Sequence, residues 1–299
     1  MSLRNSFLIF VMFLLSSASA FGAVTPQESD QQISDFSLSG YGDKGKKSWD
    51  ISGKSADIFT EVVKLKDVDG NLYDKTEKVN LTAKKGDFNK TDGKVHLEED
   101  VVITTSSGAK LTTNSMDWDR KNQLVSTKDK VNIDKDNMTI VGVGAHGEPN
   151  LNKVALTKDV RVDINPAASD GNLDGLALKD KVVITCDGQL VVDYEKNIAS
   201  FYDNVKVERP DLTIYSDKMD LYFVRGSATG SAVSKTDKSM ANSIDRIVAS
   251  GNVKIVRGEN ISYSQEAEYK ALDKKIILSG RPKLVFYSTG EFKDASFGN

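Results

Sequence analysis

The sequence predicts an all-β protein built from antiparallel strands, and three observations lead to that class. Apolar and polar residues alternate with a period of two along most of the chain, which is typical of strands with one buried and one solvated face. Asn, Asp and Gly mark the ends of the alternating segments, and the chain has only five prolines, as expected for hairpin connections. No segment beyond residue 20 has the spacing of an amphipathic helix.

A short phrase recurs along the chain: an Asp or Gly, then a valine, then an apolar residue two positions later. Its successive copies are separated by 30, 29, 22, 23, 48 and 31 residues, and the longest gap is interpreted as two units, one of them degenerate. Such self-similarity indicates one supersecondary unit that is stacked many times and forms an extended surface or groove. The lead residues are Val101, Val131, Val160, Val182, Val205, Val253 and Leu284.

The first twenty residues have the composition of a secretory signal peptide. Arg4 provides a positive start, an unbroken apolar run extends from Phe7 to Leu15, and Ala18-Ser19-Ala20 fits the cleavage pattern. The apolar run is shorter than a typical membrane span, although an uncleaved segment would act as an inner-membrane anchor. The sequence therefore predicts a protein exported to the periplasm.

Changes in composition divide the exported chain into two domains. Residues 21–32 are polar and are predicted to be flexible. A turn-rich stretch begins at Asn165-Pro166, so we expect one β domain over 33–165 and a second over 170–289. Residues 226–241 form a long polar segment inside the second domain and predict a loop.

Composition and motifs exclude several classes of function. The 40 basic and 43 acidic residues nearly cancel, and the absence of a basic stripe argues against nucleic acid as a partner. Neither histidine, His96 nor His146, has metal-ligand spacing, and no nucleotide or hydrolase motif is present. Cys186 is the single cysteine, and strand parity predicts that its thiol points inward and is inert. We therefore expect no enzyme activity, no cofactor and no metal.

Two groups of segments resemble components of the lipopolysaccharide export family. Ile33-Ser34-Asp35-Phe36-Ser37-Leu38-Ser39-Gly40 and Trp49-Asp50-Ile51-Ser52-Gly53-Lys54-Ser55-Ala56 are similar to the opening of LptC-type domains. The copies from Leu176 to Tyr287 resemble the OstA-like repeat of LptA-type domains, above all Gly251-Asn252-Val253-Lys254-Ile255 and Glu266-Ala267-Glu268-Tyr269. The chain thus resembles an LptC-like half fused to an LptA-like half.

This resemblance implies a fold, a cargo and partners. The implied fold is two consecutive open β-jellyroll domains, stacked end to end. The implied cargo is lipopolysaccharide, whose acyl chains would travel through an apolar groove from the inner toward the outer membrane. The implied partners are other Lpt components of the inner-membrane transporter complex and the outer-membrane translocon, or a second copy end to end, each bound by edge-strand pairing.

The inward-facing apolar positions of the repeat are the candidate lipid-binding residues. The same residue types would also form a closed core, and the sequence does not separate the two. The candidates are Val101, Ile103, Leu111, Val131, Ile133, Val160, Val162, Val182, Ile184, Val205, Val207, Val253, Ile255, Leu284 and Phe286.

Two other functions fit parts of the sequence. A secreted structural or adhesive β-solenoid would also have stacked strands and a signal peptide, although its turns should have nearly constant length. A β-helix enzyme acting on polysaccharide would need clustered carboxylates at the repeat spacing, and no such cluster occurs.

Overall fold

Strands account for the regular structure of the chain. The computed structural model describes residues 29–41, 45–73, 78–119, 121–122, 124–135, 137–148, 153–165, 181–193, 196–223, 244–270 and 275–287, and these residues contain no α-helix. The predicted signal peptide, the inter-domain stretch from residue 166 and the polar segment 226–241 lie outside the described residues. Gln31 and Gln32, which were assigned to the flexible N-terminal segment, are the first residues of β1.

The strands are long, and most have ten to fourteen residues. They are β1 (Gln31–Tyr41), β2 (Lys47–Ile58), β3 (Val62–Tyr73), β4 (Lys78–Asn89), β5 (Lys94–Thr105), β6 (Lys110–Asp119), β7 (Leu124–Lys135), β8 (Met138–Gly147), β9 (Lys153–Ile164), β10 (Val182–Cys186), β11 (Leu190–Asp193), β12 (Ile198–Arg209), β13 (Leu212–Phe223), β14 (Ile244–Arg257), β15 (Asn260–Lys270), β16 (Lys275–Ser279) and β17 (Lys283–Val285).

All pairings are antiparallel, and from β1 to β9 and from β12 to β15 each strand pairs with its neighbour in sequence, so the strands form one continuous meander. The short strands β10 and β11 share one position between β9 and β12, and β16 and β17 share the position beside β15. The two predicted halves therefore meet through main-chain pairing of β9 with β10 and β11. Antiparallel pairing of neighbours also differs from the parallel coils of a β-helix.

The long strands bend near their centres at acidic bulges. In β12, Asp203 and Asn204 together oppose one residue of β13, and both have a positive φ, 63° and 52°. A two-against-one bulge bends the strand and increases its twist. Asp and Asn are used because they tolerate the left-handed region better than other side chains that carry a Cβ. The same conformation occurs at Asp35, Asp67, Glu99, Asp100, Asp159 and Asn252.

These bulges correct the predicted strand boundaries. The sequence pattern places Asp residues at the ends of alternating segments, but Asp100, like its neighbours Glu98 and Glu99, lies inside β5. The acidic residue of the recurring phrase marks the centre of a bent strand. A polar residue is needed there because a bulge leaves its extra residue unpaired and solvated.

The true repeat is a pair of strands, and its members differ from those read in the sequence. Phe36 and Val68 follow the positive-φ residues Asp35 and Asp67 and belong to the series, whereas Val182 lies at the beginning of β10, opposite Ile164. The gap between Val205 and Val253 contains one described strand, β13, which pairs directly with both β12 and β14. No degenerate unit occurs among the described residues there.

The bend folds the sheet into two half-sheets that enclose the core. Ala199 and Phe201 precede the bulge of β12, Val205 and Val207 follow it, and all four are buried in one hydrophobic cluster. Because side chains from both sides of the bulge contact the same cluster, the half-sheets lie over one another. This arrangement is that of consecutive β-jellyrolls, as the resemblance implied.

Substitution of Asp67 tests the need for a residue that tolerates a left-handed conformation near the centre of a long strand. Asp67 is exposed and has a φ of 50°. We expect Asp67→Val to lower the free energy of unfolding by about 1–2 kcal/mol, because a β-branched residue is strained there. Asp67→Gly should change it much less, since glycine adopts this conformation freely. Denaturant unfolding of both variants is the measurement. Equal losses of unfolding free energy in the two variants would show that backbone strain at residue 67 is not the cause.

Candidate functional site

The candidate site is the apolar interior between the two half-sheets. Of the fifteen candidates, two are half-buried, Leu111 and Ile133, and two are exposed, Leu284 and Phe286. The other eleven are buried, namely Val101, Ile103, Val131, Val160, Val162, Val182, Ile184, Val205, Val207, Val253 and Ile255. Period-two parity therefore located the inner face correctly for most positions.

Leu284 and Phe286 are not in the interior. Their side chains are 51% and 72% exposed, respectively. Leu284 lies in β17, a three-residue strand that pairs only with β15 among the described residues, and Phe286 follows that strand. The parity of these residues is that of the inner face, but no further strand among the described residues covers them.

A row of residues that we call the spine runs along the inside of the bend. It consists of pairs in which a large apolar residue of one strand lies directly opposite a small residue of the next. The pairs are Phe36 with Gly53, Val68 with Ala83, Val101 with Thr113, Val131 with Gly142, Val160 with Cys186, Val205 with Ser216, and Val253 with Ser264. Alternation of large and small side chains allows the half-sheets to approach closely at the bend.

Further interior residues come from the half-sheet that precedes each bulge. Sequence reasoning missed these residues because it placed strand boundaries at the bulges. The alternation of the sequence could have identified them, since Ala199 and Phe201 have the same period-two parity as Val205 and Val207. The missed residues that are buried include Leu65, Leu97, Met116, Leu156, Leu190, Phe201, Met219 and Leu221.

The core is divided into two clusters. The first consists of buried residues of β1–β6, and the second of buried residues of β8–β15. The second cluster includes Ile140, Leu156 and Val160, which precede the inter-domain stretch predicted from the sequence. The last strands of the first half therefore pack with the second half, and the interior is continuous across the junction.

A small apolar cavity lies at this junction. Its volume is about 50 Å³, and both half-sheets line it. Met138, Ile140 and Val162 contribute from the first half of the chain, and Phe201 and Phe223 from the second. Apolar cavities about three times larger bind benzene, so a bound acyl chain requires the half-sheets to move apart.

Cys186 is buried in the spine, as its parity predicted. Its thiol lies 3.6 Å from the carbonyl oxygen of Gly188. Burial raises the pKa of the thiol to about 11. A thiol that remains protonated is a poor nucleophile, so Cys186 is a packing residue.

Polar side chains on the outer face interact with one another across strands. Asp50 accepts hydrogen bonds from Asn71 Nδ2 at 2.8 Å and Tyr73 Oη at 2.7 Å, and it pairs with Lys47 Nζ at 3.1 Å. These donors, of which Asn71 has the largest effect, lower the pKa of Asp50 to about 2. The described residues contain no group of three or more His, Cys, Asp and Glu side chains arranged to hold a metal ion. The outer face thus has polar ladders, and the inner face is mostly apolar.

Comparison with known protein families agrees with this architecture. Residues 7–165 match the family of LptC-related lipopolysaccharide-assembly proteins, which covers more than half of the chain. The chain belongs to the LptC-related family. Residues 184–296 match the LptA/LptD N-terminal domain family of lipopolysaccharide transport proteins, so an LptC-like half is fused to an LptA-like half. A search among curated proteins found no match.

Membership of the LptC-related family assigns the chain to lipopolysaccharide transport, together with other Lpt components. In the part of the chain that the structure describes, no helix has the length and apolarity needed to cross a membrane. The first family match ends at residue 165, just after β9, and the second begins at residue 184, inside β10. The cavity therefore lies where the LptC-like and LptA-like halves meet.

Within the part of the LptC-related chain that the structure describes, the two ends of the sheet are free edges. Among the described residues, β1 pairs only with β2, and β16 and β17 pair only with β15. Apolar side chains are exposed at both edges, namely Ile33, Leu38 and Tyr41 in β1, and Ile276, Ile277, Leu284, Phe286 and Tyr287 in or just beyond β16 and β17. A free edge with apolar side chains favours addition of a further strand.

Proposed function

We propose that the chain is a periplasmic bridge that carries lipopolysaccharide from the inner toward the outer membrane, with the acyl chains held between the half-sheets and without chemistry. The observation that carries this proposal is the apolar interior that continues across the junction, with a cavity lined from both halves. A protein that moves a lipid between two partners needs such a path in both of its halves.

The physical basis is the free-energy cost of exposing acyl chains to water. Each buried methylene contributes about 0.8 kcal/mol, so even partial burial of one chain is strongly favourable. Val162, Ile184 and Phe201 offer only apolar surface in the cavity. The charged sugar and phosphate groups would remain outside, because the interior offers them no ionic partner and burial of a charge is costly.

We further propose the partners of the two sheet edges, the location of the protein and the limits of its domains. The free edge of β1 would pair with the inner-membrane transporter complex, and the edge of β16 and β17 with the outer-membrane translocon or with a second copy. Residues 1–20 would direct export, or would remain as an inner-membrane anchor if they are not cleaved. The LptC-like domain would extend over 33–165 and the LptA-like domain over 170–289.

The test is site-specific photo-crosslinking in cells that make lipopolysaccharide. Val131 and Val205 are poor positions, because both are almost fully buried in the spine. Leu111 and Phe223 are half-buried inner residues of the first and second halves, and their neighbours Thr112 and Tyr222 point to the opposite face. We expect lipopolysaccharide adducts at Leu111 and Phe223 and none at Thr112 and Tyr222.

The pattern of adducts also separates the alternatives. Adducts at Leu111 alone would limit the lipid path to the first half and contradict a bridge. An absence of adducts at both inner positions, in a protein that remains folded, would reject transport and favour a structural β protein.

A further inference from the structure

Two hydroxyl groups are buried in the spine without a partner. Ser216 and Ser264 are 5% and 7% exposed, and among the described residues neither Oγ atom has a hydrogen-bond partner. Ser216 lies directly opposite Val205, and Ser264 lies directly opposite Val253. Because directly paired residues share a face of the sheet, both hydroxyls point into the interior.

The other small residues of the spine contain no such group. Gly53, Ala83 and Gly142 have no polar side-chain atom. Thr113 is buried, but its hydroxyl lies 3.4 Å from that of Thr127. The Cys186 thiol contacts the Gly188 carbonyl oxygen. Unpartnered hydroxyls therefore occur at two spine positions of the LptA-like half.

An unpartnered buried hydroxyl destabilises a fold, and alanine would occupy nearly the same space without that penalty. A bound water is a poor partner here, because it needs two to four polar groups, and the residues opposite the serines, Val205 and Val253, offer only apolar side chains. A partner supplied by a ligand would explain why the positions contain serine. The ligand atom must be an oxygen or nitrogen that can enter an apolar interior.

We propose that Ser216 and Ser264 form a subsite for oxygen atoms on acyl chains, namely a chain hydroxyl or the carbonyl of an ester or amide. Each serine hydroxyl donates to that oxygen, and a chain hydroxyl can also donate back to the serine. The subsite selects oxygenated acyl chains over plain hydrocarbon chains. This inference rests on the proposed function, because it needs acyl chains between the half-sheets, which must move apart at the spine, as at the cavity, to admit them.

The experiment compares two probes, a 3-hydroxy fatty acid and the unsubstituted fatty acid of equal length. Affinities are measured by calorimetry for the whole exported chain and for the double variant Ser216→Ala, Ser264→Ala. One hydrogen bond to a neutral group favours the hydroxylated acid by about two- to tenfold. We expect the unmodified protein to show this preference and the double variant to lose it, with unchanged affinity for the unsubstituted acid.

Thr113→Ala is the matched control. It also removes a spine hydroxyl, but one that already has a partner, so the preference for the hydroxylated acid should remain. Thermal unfolding without ligand provides a second readout. The double variant should have a higher midpoint than the unmodified protein because it lacks the unpartnered hydroxyls, whereas Thr113→Ala should have a lower one.

The outcomes distinguish this inference from the proposed function. If the unmodified protein binds both acids equally, or if the double variant keeps the preference, the subsite is rejected and the lipid path stands. If neither acid binds, both the subsite and the lipid path are rejected.

Discussion

Replacement of Val205 by aspartate is expected to abolish folding of the LptA-like half. Val205 is 1% exposed, lies directly opposite Ser216 in the spine, and belongs to the larger of the two clusters. A carboxylate there has no cationic partner, and an uncompensated buried charge costs more than about 3–5 kcal/mol. Since whole domains are stable by only about 5–15 kcal/mol, we expect loss of the cooperative thermal transition measured by circular dichroism.

Lys206→Ser is the control for this experiment. Lys206 is the next residue on the same strand and faces outward, where its Nζ lies 2.5 Å from Glu208 Oε1. An ion pair at the surface contributes little, so this variant should stay within about 0.5 kcal/mol of the unmodified protein. A folded Val205→Asp protein would show that the spine is open to water, contrary to the close packing described above.

Replacement of Gly142 by valine is expected to lower the free energy of unfolding by about 3 kcal/mol or more. Gly142 is the small partner of Val131, and a Cβ at this position would lie 2.7 Å from Leu156 Cδ2. Leu156 is 1% exposed, so displacement of its side chain would press on other buried atoms. Overpacking of a rigid core typically costs about 1–3 kcal/mol. The close approach of the half-sheets at the spine adds to this cost, because it limits how far the backbone can shift.

Gly70→Ala provides the matched glycine control. A Cβ at Gly70 would meet only the carbonyl oxygens of Asp50 and Leu81, each at 3.8 Å, which is an ordinary contact. Alanine there should be neutral or stabilise by about 0.4–1 kcal/mol through the unfolded state. Denaturant unfolding of the two variants measures both effects. Similar free energies for the two variants would show that the spine has room for larger residues.

The sequence identified the inner face well because strand parity is a local property. Val101, Val131 and Val160 alternate with polar residues, and this alternation survives any arrangement of the strands in space. It could not show how far the inner face extends. Phe201 and Leu221 belong to the same interior, but the acidic residue of the repeat has the composition of a turn, so the sequence pattern does not connect them with the residues on the other side of the bend.

The sequence also could not separate exposed from covered positions at the ends of the sheet. Leu284 and Phe286 have the same alternation as Val253 and Ile255, yet they are exposed. Burial depends on whether a further strand lies beside the residue, and parity contains no information about neighbours. The subsite of Ser216 and Ser264 was missed for a related reason, because a hydroxyl in a strand is unremarkable until its partners are known.

Short-range patterns in the sequence therefore determined the all-β class, the inner face of most strands and the family to which each half belongs. Those properties depend on neighbouring residues and on phrases that recur within the chain, such as Gly251-Asn252-Val253. Only the tertiary structure decided that Asp203 and Asn204 bend a strand, that β9 joins the halves through β10 and β11, and that the cavity spans both. These features depend on contacts between residues far apart in the chain, which local alternation does not specify.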